Sequence, residues 1–477
     1  MKRDPFLWVG CLLYAALFTG LGALKYAVHR NLVDFGIFTQ TAASAFGCFC
    51  NPIEGSHWAF HFSPILYAGG LALGVVRSPL TLVALQAVAG ALVAPPIYAL
   101  ALRGGSDVAT ARLAAVVVWL YPPLAGLIFG DVHENGFAPA AVAWMLYAFD
   151  AGRLAWTFVL ALVVLTVKED QAFFLAFAGA LAAWRFRGTL RGRVALGIVV
   201  CSVVVLIAFF GLIQPSAQSL ANPGWQPQRF YAWTTADLGG LAQGVLARFG
   251  FLLLVFVPLL FLPLRSPMIW LAAAPLAEVL FSRMPTTYTL GTHYTGAWLG
   301  YVLVAFAFGL RGLAQRRART MLGVCAALCV LELAVADPLH PGMNLRAVQP
   351  RDAALDAFLT TLPGDAALAT QEEAYTHLAL SDPAATLLPE ASERATDACF
   401  ILIDRDFPDS ARLREYGATA RRLVREGRYV TAARRGGIEL YASSSASAEP
   451  ARTGQPSSAR TMRWGAAHGA QRATCSR

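Results

Sequence analysis

The sequence predicts a polytopic α-helical membrane protein with a small water-soluble α/β domain near its C-terminal end. Three observations carry that prediction. Hydrophobic residues make up 57% of the 477 and charged residues only 14%, with a mean hydropathy of +0.53, a balance suited to lipid. Apolar runs of about 15 to 22 residues, the length a bilayer asks of a helix, recur from Phe6 to Ala336. At Pro338 the composition turns polar and stays so.

The formal charge of +9 does not indicate nucleic acid, because the Lys and Arg residues are scattered among apolar runs and form no basic face interleaved with aromatics. They read as topology signals. The eight cysteines lie mostly in apolar stretches without paired CxxC units, so neither a disulfide framework nor a structural metal is expected, and the Cys48-x-Cys50 pair reads as incidental. The apolar run Phe6 to Leu24 after Met-Lys-Arg resembles a signal peptide but has no clear small-residue cleavage site. A retained first helix is the expectation.

Eleven spanning helices are predicted near residues 6–24, 79–101, 108–128, 137–150, 154–167, 171–184, 193–213, 245–264, 267–282, 297–311 and 320–336. The run 58–76 is also long enough to cross, and charge decides against it. If it lies on the surface, fourteen cationic residues from Lys2 to Arg319 collect on the cytoplasmic side and only seven (Lys25, Arg30, Arg77, Lys168, Arg229, Arg248, Arg283) on the other. A crossing would invert that bias, against the positive-inside rule. The N-terminus is then cytoplasmic, with surface helices expected at about 34–47 and 58–76, the second opened by His61, Ser63 and Pro64. Five histidines (His29, His57, His61, His133, His293) and the acids Asp34, Glu54, Asp131, Glu134, Glu169, Asp170, Asp237 and Asp337 all fall on the outer side.

Gly130 to Pro139 places Asp131, His133 and Glu134 between two apolar runs, and ionisable groups at that depth are a candidate site by default. The bland alternative is capping of the following helix, whose first turn Pro139 marks. Lys168, Glu169 and Asp170 read as the charged tip of an outer hairpin, where they neutralise one another or bind substrate. The loop from about Gln214 to Gln243, rich in Pro, Trp and Gln, suits a lid or an acceptor surface. Arg283 to Tyr294 supplies a cation, a histidine and hydroxyls, although Arg283 also has Glu278 within reach. Residues 1–337 are thus read as the transmembrane domain and 338–443 as an extracytoplasmic α/β domain. In the latter, helical stretches 351–362 and 410–426 alternate with β-like runs 366–370, 398–404, 429–433 and 438–442. The remaining 444–477, Ser, Ala, Gly and Arg, reads as a disordered basic tail.

Asp34-Phe-Gly-Ile-Phe, His61-Phe-Ser-Pro-Ile-Leu, Asp131-Val-His-Glu134, Val167-Lys-Glu-Asp170 and His293-Tyr294, in that order, resemble the bacterial membrane-protein family catalogued as domain of unknown function 2079, over about residues 20 to 442. That family is grouped with the GT-C glycosyltransferases. The resemblance implies a GT-C-like fold in a bacterial cell membrane and a sugar taken from a polyprenyl-phosphate carrier at the extracytoplasmic face. It also implies an acidic residue of the first outer loop acting in catalysis, which here is Asp34. Beside Asp34 stand only Phe35 and Gly36, so the Asp-x-Asp metal pair of several GT-C groups is not present there.

Glycosyl transfer needs a carboxylate to take the acceptor proton and cations to stabilise the departing lipid phosphate. Asp34, Asp131, His133 and Glu134 are the catalytic candidates. Lys168, Glu169, Asp170, Arg283, His293, Tyr294 and His61 are the candidates for the lipid phosphate or substrate, and a divalent metal ion is a candidate cofactor. Helix N-capping is the plain alternative for Asp34. Two other functions compete: a transporter or flippase for a lipid-linked or polar substrate, which tends to hold coupling residues at mid-membrane on repeated helices, and a non-catalytic membrane scaffold. The polar set gathers at one face and the sequence has no fixed-period repeat, which favours the enzyme.

Overall fold

The computed structural model describes residues 4–219, 224–231, 238–340, 344–362, 367–388, 398–407 and 413–444. The tail expected at 444–477 lies outside them beyond Ser444, as do Trp233 and much of the Gln214–Gln243 loop. The described residues of Met1–Ala23, Trp58–Gly69 and Leu80–Leu345 form one compact unit, and those of Leu24–His57, Gly70–Pro79 and Arg346–Arg477 another.

The first unit is helical. The eleven apolar runs fall on helices, several of them broken, but among the described residues only Pro5–Ala27, Leu80–Arg103, Leu190–Ala217 and Gln315–Val335 are long and apolar enough to cross a membrane, or five if Val108–Leu120 and Pro122–Phe129 count as one span. Proline explains much of the difference. A residue before proline is steered out of the α region, and Tyr121 accordingly sits at ψ 117 before Pro122-Pro123, bending the two helices by 47°. The 58–76 run is not one helix either. A 3-10 turn at His57–Ala59 and an irregular stretch through Pro64 precede Leu66–Val75, whose ten residues reach only about 15 Å, half the apolar thickness of a bilayer.

At one end of this unit Asp4 takes a bidentate pair from Arg112 (2.9 and 3.0 Å) and the Tyr98 hydroxyl (2.9 Å), while Asp150 pairs with Arg103 (2.7 Å) and Arg311 (3.1 Å). Asp107 caps the helix that follows it through the Thr110 N–H (2.8 Å) and pairs with Arg319.

The second unit is built on a five-stranded mixed sheet. Its strands are β3 (Leu368–Thr370), β4 (Thr386–Leu387), β5 (Phe400–Asp404), β6 (Tyr429–Arg435) and β7 (Ile438–Ser443), in the order β4-β3-β5-β7-β6. A small hairpin of β1 (Cys50–Asn51) and β2 (Gly55–Ser56) lies outside that sheet. β3 runs parallel to β4 and β5, while β7 is antiparallel to β5 and β6. One core joins helices Pro350–Leu359 and Glu372–Leu378 to the sheet through Leu355, Phe358, Tyr375 and Leu402; another holds helix Leu413–Arg425 through Tyr416, Ala420 and Leu423. Helix Val33–Ala43, in the segment after helix Pro5–Ala27, belongs here: Val33 and Ile53 pack on the first core, and the Tyr375 hydroxyl donates to Gln40 Oε1 (2.7 Å). The division drawn at 337/338 therefore leaves out a segment that the contacts group with the sheet. Cys48 and Cys50 are joined by a disulfide, so the pair is not incidental.

Candidate active site

In the first unit the turn after Pro122–Phe129 leaves the helix at Gly130, runs extended to His133 and closes as a 3-10 turn over Glu134–Phe137 before helix Ala138–Asp150. Gln86 holds it in place: its Nε2 donates to the carbonyls of Ile128 (3.2 Å) and Asp131 (3.4 Å), and its Oε1 accepts from His133 N–H (3.0 Å). Sequence reasoning missed Gln86, although a single amide in an otherwise apolar helix was a readable signal. Helix Thr295–Gly309 approaches the same turn so closely that a Cβ on Gly296 would stand 2.2 Å from the Asn135 carbonyl oxygen.

Glu134 is fully buried. Its Oε2 lies 2.9 Å from His133 Nδ1 and its Oε1 3.9 Å from Lys168 Nζ, yet neither oxygen makes a hydrogen bond of acceptable geometry. The Asn135 side-chain amide and the Thr295 hydroxyl are likewise buried without a hydrogen bond. Buried polar atoms of this kind call for a further partner, such as water, an ion or a ligand. His133 stacks on His293 at 3.8 Å and 8°, and His293 is followed at 4.1 Å by the Tyr294 ring. Burial and the neighbouring His133 hold the His293 imidazole well below its ordinary pKa, so that ring is neutral at pH 7.

Lys168, Glu169 and Asp170 are 7%, 3% and 9% exposed, so they are not an exposed hairpin tip. Their burial is tolerable because each has a partner of opposite charge. Lys168 Nζ lies 3.8 Å from Asp170 Oδ2 as well as beside Glu134. Glu169 accepts from His61 Nδ1 (2.9 Å) through one oxygen and from the Phe62 N–H (2.9 Å) through the other. His61 thus opens no surface helix; it is tied to a residue 108 positions away. Burial acts against its charged form, but the Glu169 carboxylate outweighs that and raises its pKa. Glu278 interacts electrostatically with Asp170 and Lys168, a further acid that the sequence reading considered only as a partner for Arg283.

The structure thus brings His61, His133, Glu134, Lys168, Glu169, Asp170, His293 and Tyr294 into the first unit. Asp131 is half-buried there, its carbonyl taken by Gln86, and half-buried Arg283 donates its backbone N–H to the Phe230 carbonyl (2.7 Å). Asp34 belongs to the second unit, half-buried in the first turn of Val33–Ala43. Gly36, two residues on, meets the Tyr375 ring so closely that a Cβ would lie 2.2 Å from it. His57 is fully buried, its Nδ1 3.1 Å from Glu54 and its ring edge-on to Phe49 at 5.2 Å.

Residues 29–440 match the family described as predicted membrane protein, DUF2079. The chain belongs to that family. A search of curated proteins finds no match to this DUF2079 chain. Among solved structures it is similar to ArnT from Cupriavidus metallidurans bound to undecaprenyl phosphate, at TM-score 0.52 and 12% identity over 91% of this chain and 98% of that one. The apo form of the same protein gives TM-score 0.50 and 13% identity over 90% and 97%. An oligosaccharyltransferase from Archaeoglobus fulgidus, tethered with an acceptor peptide, follows at TM-score 0.39 and 13% identity over 88% and 72%, a likeness too weak to build on. At these identities the ArnT likeness establishes the fold: the DUF2079 chain is a helical membrane protein with a GT-C-like fold.

Proposed function

We propose that the protein is a membrane glycosyltransferase that moves a sugar from a polyprenyl-phosphate carrier to an acceptor at the extracytoplasmic face. The observation that carries this reading is the buried Glu134 carboxylate, without a hydrogen bond and flanked by His133 and Lys168, in a chain with the fold of a protein crystallised with undecaprenyl phosphate. Asp34 is the general base that takes the acceptor proton, and Asp131, His133 and Glu134 orient the acceptor. Arg283 and Tyr294 serve the lipid phosphate. Lys168, held between Glu134 and Asp170, adds its charge to the same task. His61 and Glu169 position the segment around Phe62 and take no part in the chemistry.

A divalent ion belongs to the same proposal, because His133 and Glu134, 2.9 Å apart at Nδ1 and Oε2, offer nitrogen and oxygen donors of the kind zinc prefers. When bound it would supply positive charge toward the departing phosphate. Eleven crossings, a cytoplasmic N-terminus and an extracytoplasmic domain over 338–443 in a bacterial cell membrane belong to this proposal, with 444–477 as a basic tail. Asp34→Asn should lower transfer by ~10²–10⁴-fold while leaving elution of the detergent-solubilised protein unchanged. Surface glycans and the pool of polyprenyl-linked sugar, compared by mass spectrometry in cells carrying each form, measure this. Identical profiles would remove Asp34 from the mechanism.

A further inference from the structure

His29, Asp356 and His377 meet inside the second unit, from the segment after helix Pro5–Ala27 and from helices Pro350–Leu359 and Glu372–Leu378. Asp356 Oδ1 lies 3.0 Å from His377 Nδ1 and 3.4 Å from His29 Nε2, and the two imidazoles stack at 3.7 Å and 18°. The other nitrogen of each ring faces a backbone carbonyl: His377 Nε2 lies 2.9 Å from the Tyr26 oxygen and His29 Nδ1 3.4 Å from the Glu373 oxygen. A carbonyl oxygen only accepts, so in each neutral ring the N–H sits on that side. The remaining nitrogen of each ring then carries no proton and lies 3.0–3.4 Å from one carboxylate oxygen, an arrangement that repels.

Protonating both rings would relieve the repulsion only by stacking two cations where His29 is 0% and His377 7% exposed at the side chain. Burial and the neighbouring His29 ring hold His377 below its ordinary pKa, which favours its neutral form. His29 Nε2 is buried and makes no hydrogen bond of acceptable geometry.

We propose that His29 Nε2, His377 Nδ1 and Asp356 Oδ1 hold a divalent transition-metal ion of the zinc class. Bonds of about 2.0–2.1 Å in a tetrahedral site place ligand atoms about 3.3 Å apart, close to the two spacings seen here. The three donor atoms all lie within 4.8 Å of one another. The carbonyls of Tyr26 and Glu373 are the partners that fix the tautomer and aim of metal-bound histidines. Asp356, 48% exposed at its side chain, leaves a route for the ion and for water as fourth ligand. Bound there, the ion ties the segment five residues before Asp34 to the C-terminal sheet's helices.

The full chain in detergent, stripped with EDTA and titrated with Co²⁺ and then Zn²⁺, tests this. The wild type should bind Co²⁺ with the visible absorption of a tetrahedral nitrogen and oxygen site, and Zn²⁺ should displace it. His377→Ala should lose one equivalent or weaken it by at least about 100-fold, since loss of a mere outer partner already costs about 10–100-fold. His293→Ala should keep that equivalent, which separates it from any ion in the first unit. If His377→Ala fails to fold, near-isosteric Asp356→Asn, with unfolding in EDTA equal to that of the stripped wild type, gives the same reading. No binding by the wild type, or an equal number of equivalents in wild type, His377→Ala and Asp356→Asn, overturns the proposal.

Discussion

Glu169 spends both carboxylate oxygens on one short segment, one on the His61 ring and one on the Phe62 N–H. Removing the charge takes away the carboxylate that favours the charged form of the largely buried His61, so Glu169→Gln should cost about 3–5 kcal/mol, read as a lowered thermal unfolding temperature in detergent. The pair also sets a pH dependence. The folded pKa of His61 lies above its unfolded value, so its contribution is full below about pH 6.5 and fades as pH rises through the folded pKa. His377 has the opposite sign. Its folded pKa is lowered, so the unfolded chain takes the proton first and the second unit loses stability as pH falls below about 6.5. Protease-monitored unfolding at about pH 5, pH 7 and pH 9 should show the segment around His61 loosening at the alkaline end and the sheet unit at the acid end. None of these partnerships was legible from spacing alone, because His61 and Glu169 stand 108 positions apart and nothing local announces the pair.

At the scale of elements, proline and glycine decide what apolar periodicity leaves open. Pro122 breaks one apolar run into two helices and so brings the chain to Gly130 at the angle from which the His133–Glu134 turn begins. Gly296 permits the close approach to that turn. Gly296→Ala should cost about 1–3 kcal/mol by overpacking, whereas Gly323→Ala, in a helix with nothing within 4 Å of the new Cβ, should gain up to about 1 kcal/mol. Chemical denaturation of both variants in the same detergent checks the contrast; equal effects would show that the Asn135 contact is not tight. Most strands of the C-terminal sheet were readable from short β-like runs. Two-residue β4 and seven-residue helix Glu372–Leu378 were not, since so few residues carry no period.

For the whole molecule, the ion pairs of the first unit sort by the side that charge bias assigns. Asp4 with Arg112, Asp150 with Arg103 and Arg311, and Asp107 with Arg319 join residues from cytoplasmic segments. His61 with Glu169 and Lys168 with Glu134 and Asp170 join residues from outer ones. None of these pairs mixes the two sets, which supports the proposed parity. A membrane-impermeant maleimide added to intact spheroplasts should label Thr289→Cys and leave Ser106→Cys at the level of the parent chain. The reverse pattern would invert the topology and place the proposed chemistry in the cytoplasm.

By itself the sequence determined the solvent of this protein, the position of its helical runs, the polar switch at Pro338 and the five motifs of its family. Those properties follow from local composition and period, which lipid and water read residue by residue. Only the tertiary structure decided which of those residues are neighbours. It buried Lys168, Glu169 and Asp170 against Glu134 and His61, grouped the first-loop helix with the C-terminal sheet, and set His29 beside Asp356 and His377 across more than three hundred positions. Charge pairing and close packing act through space, and a linear chain carries no mark of which distant partner will satisfy them.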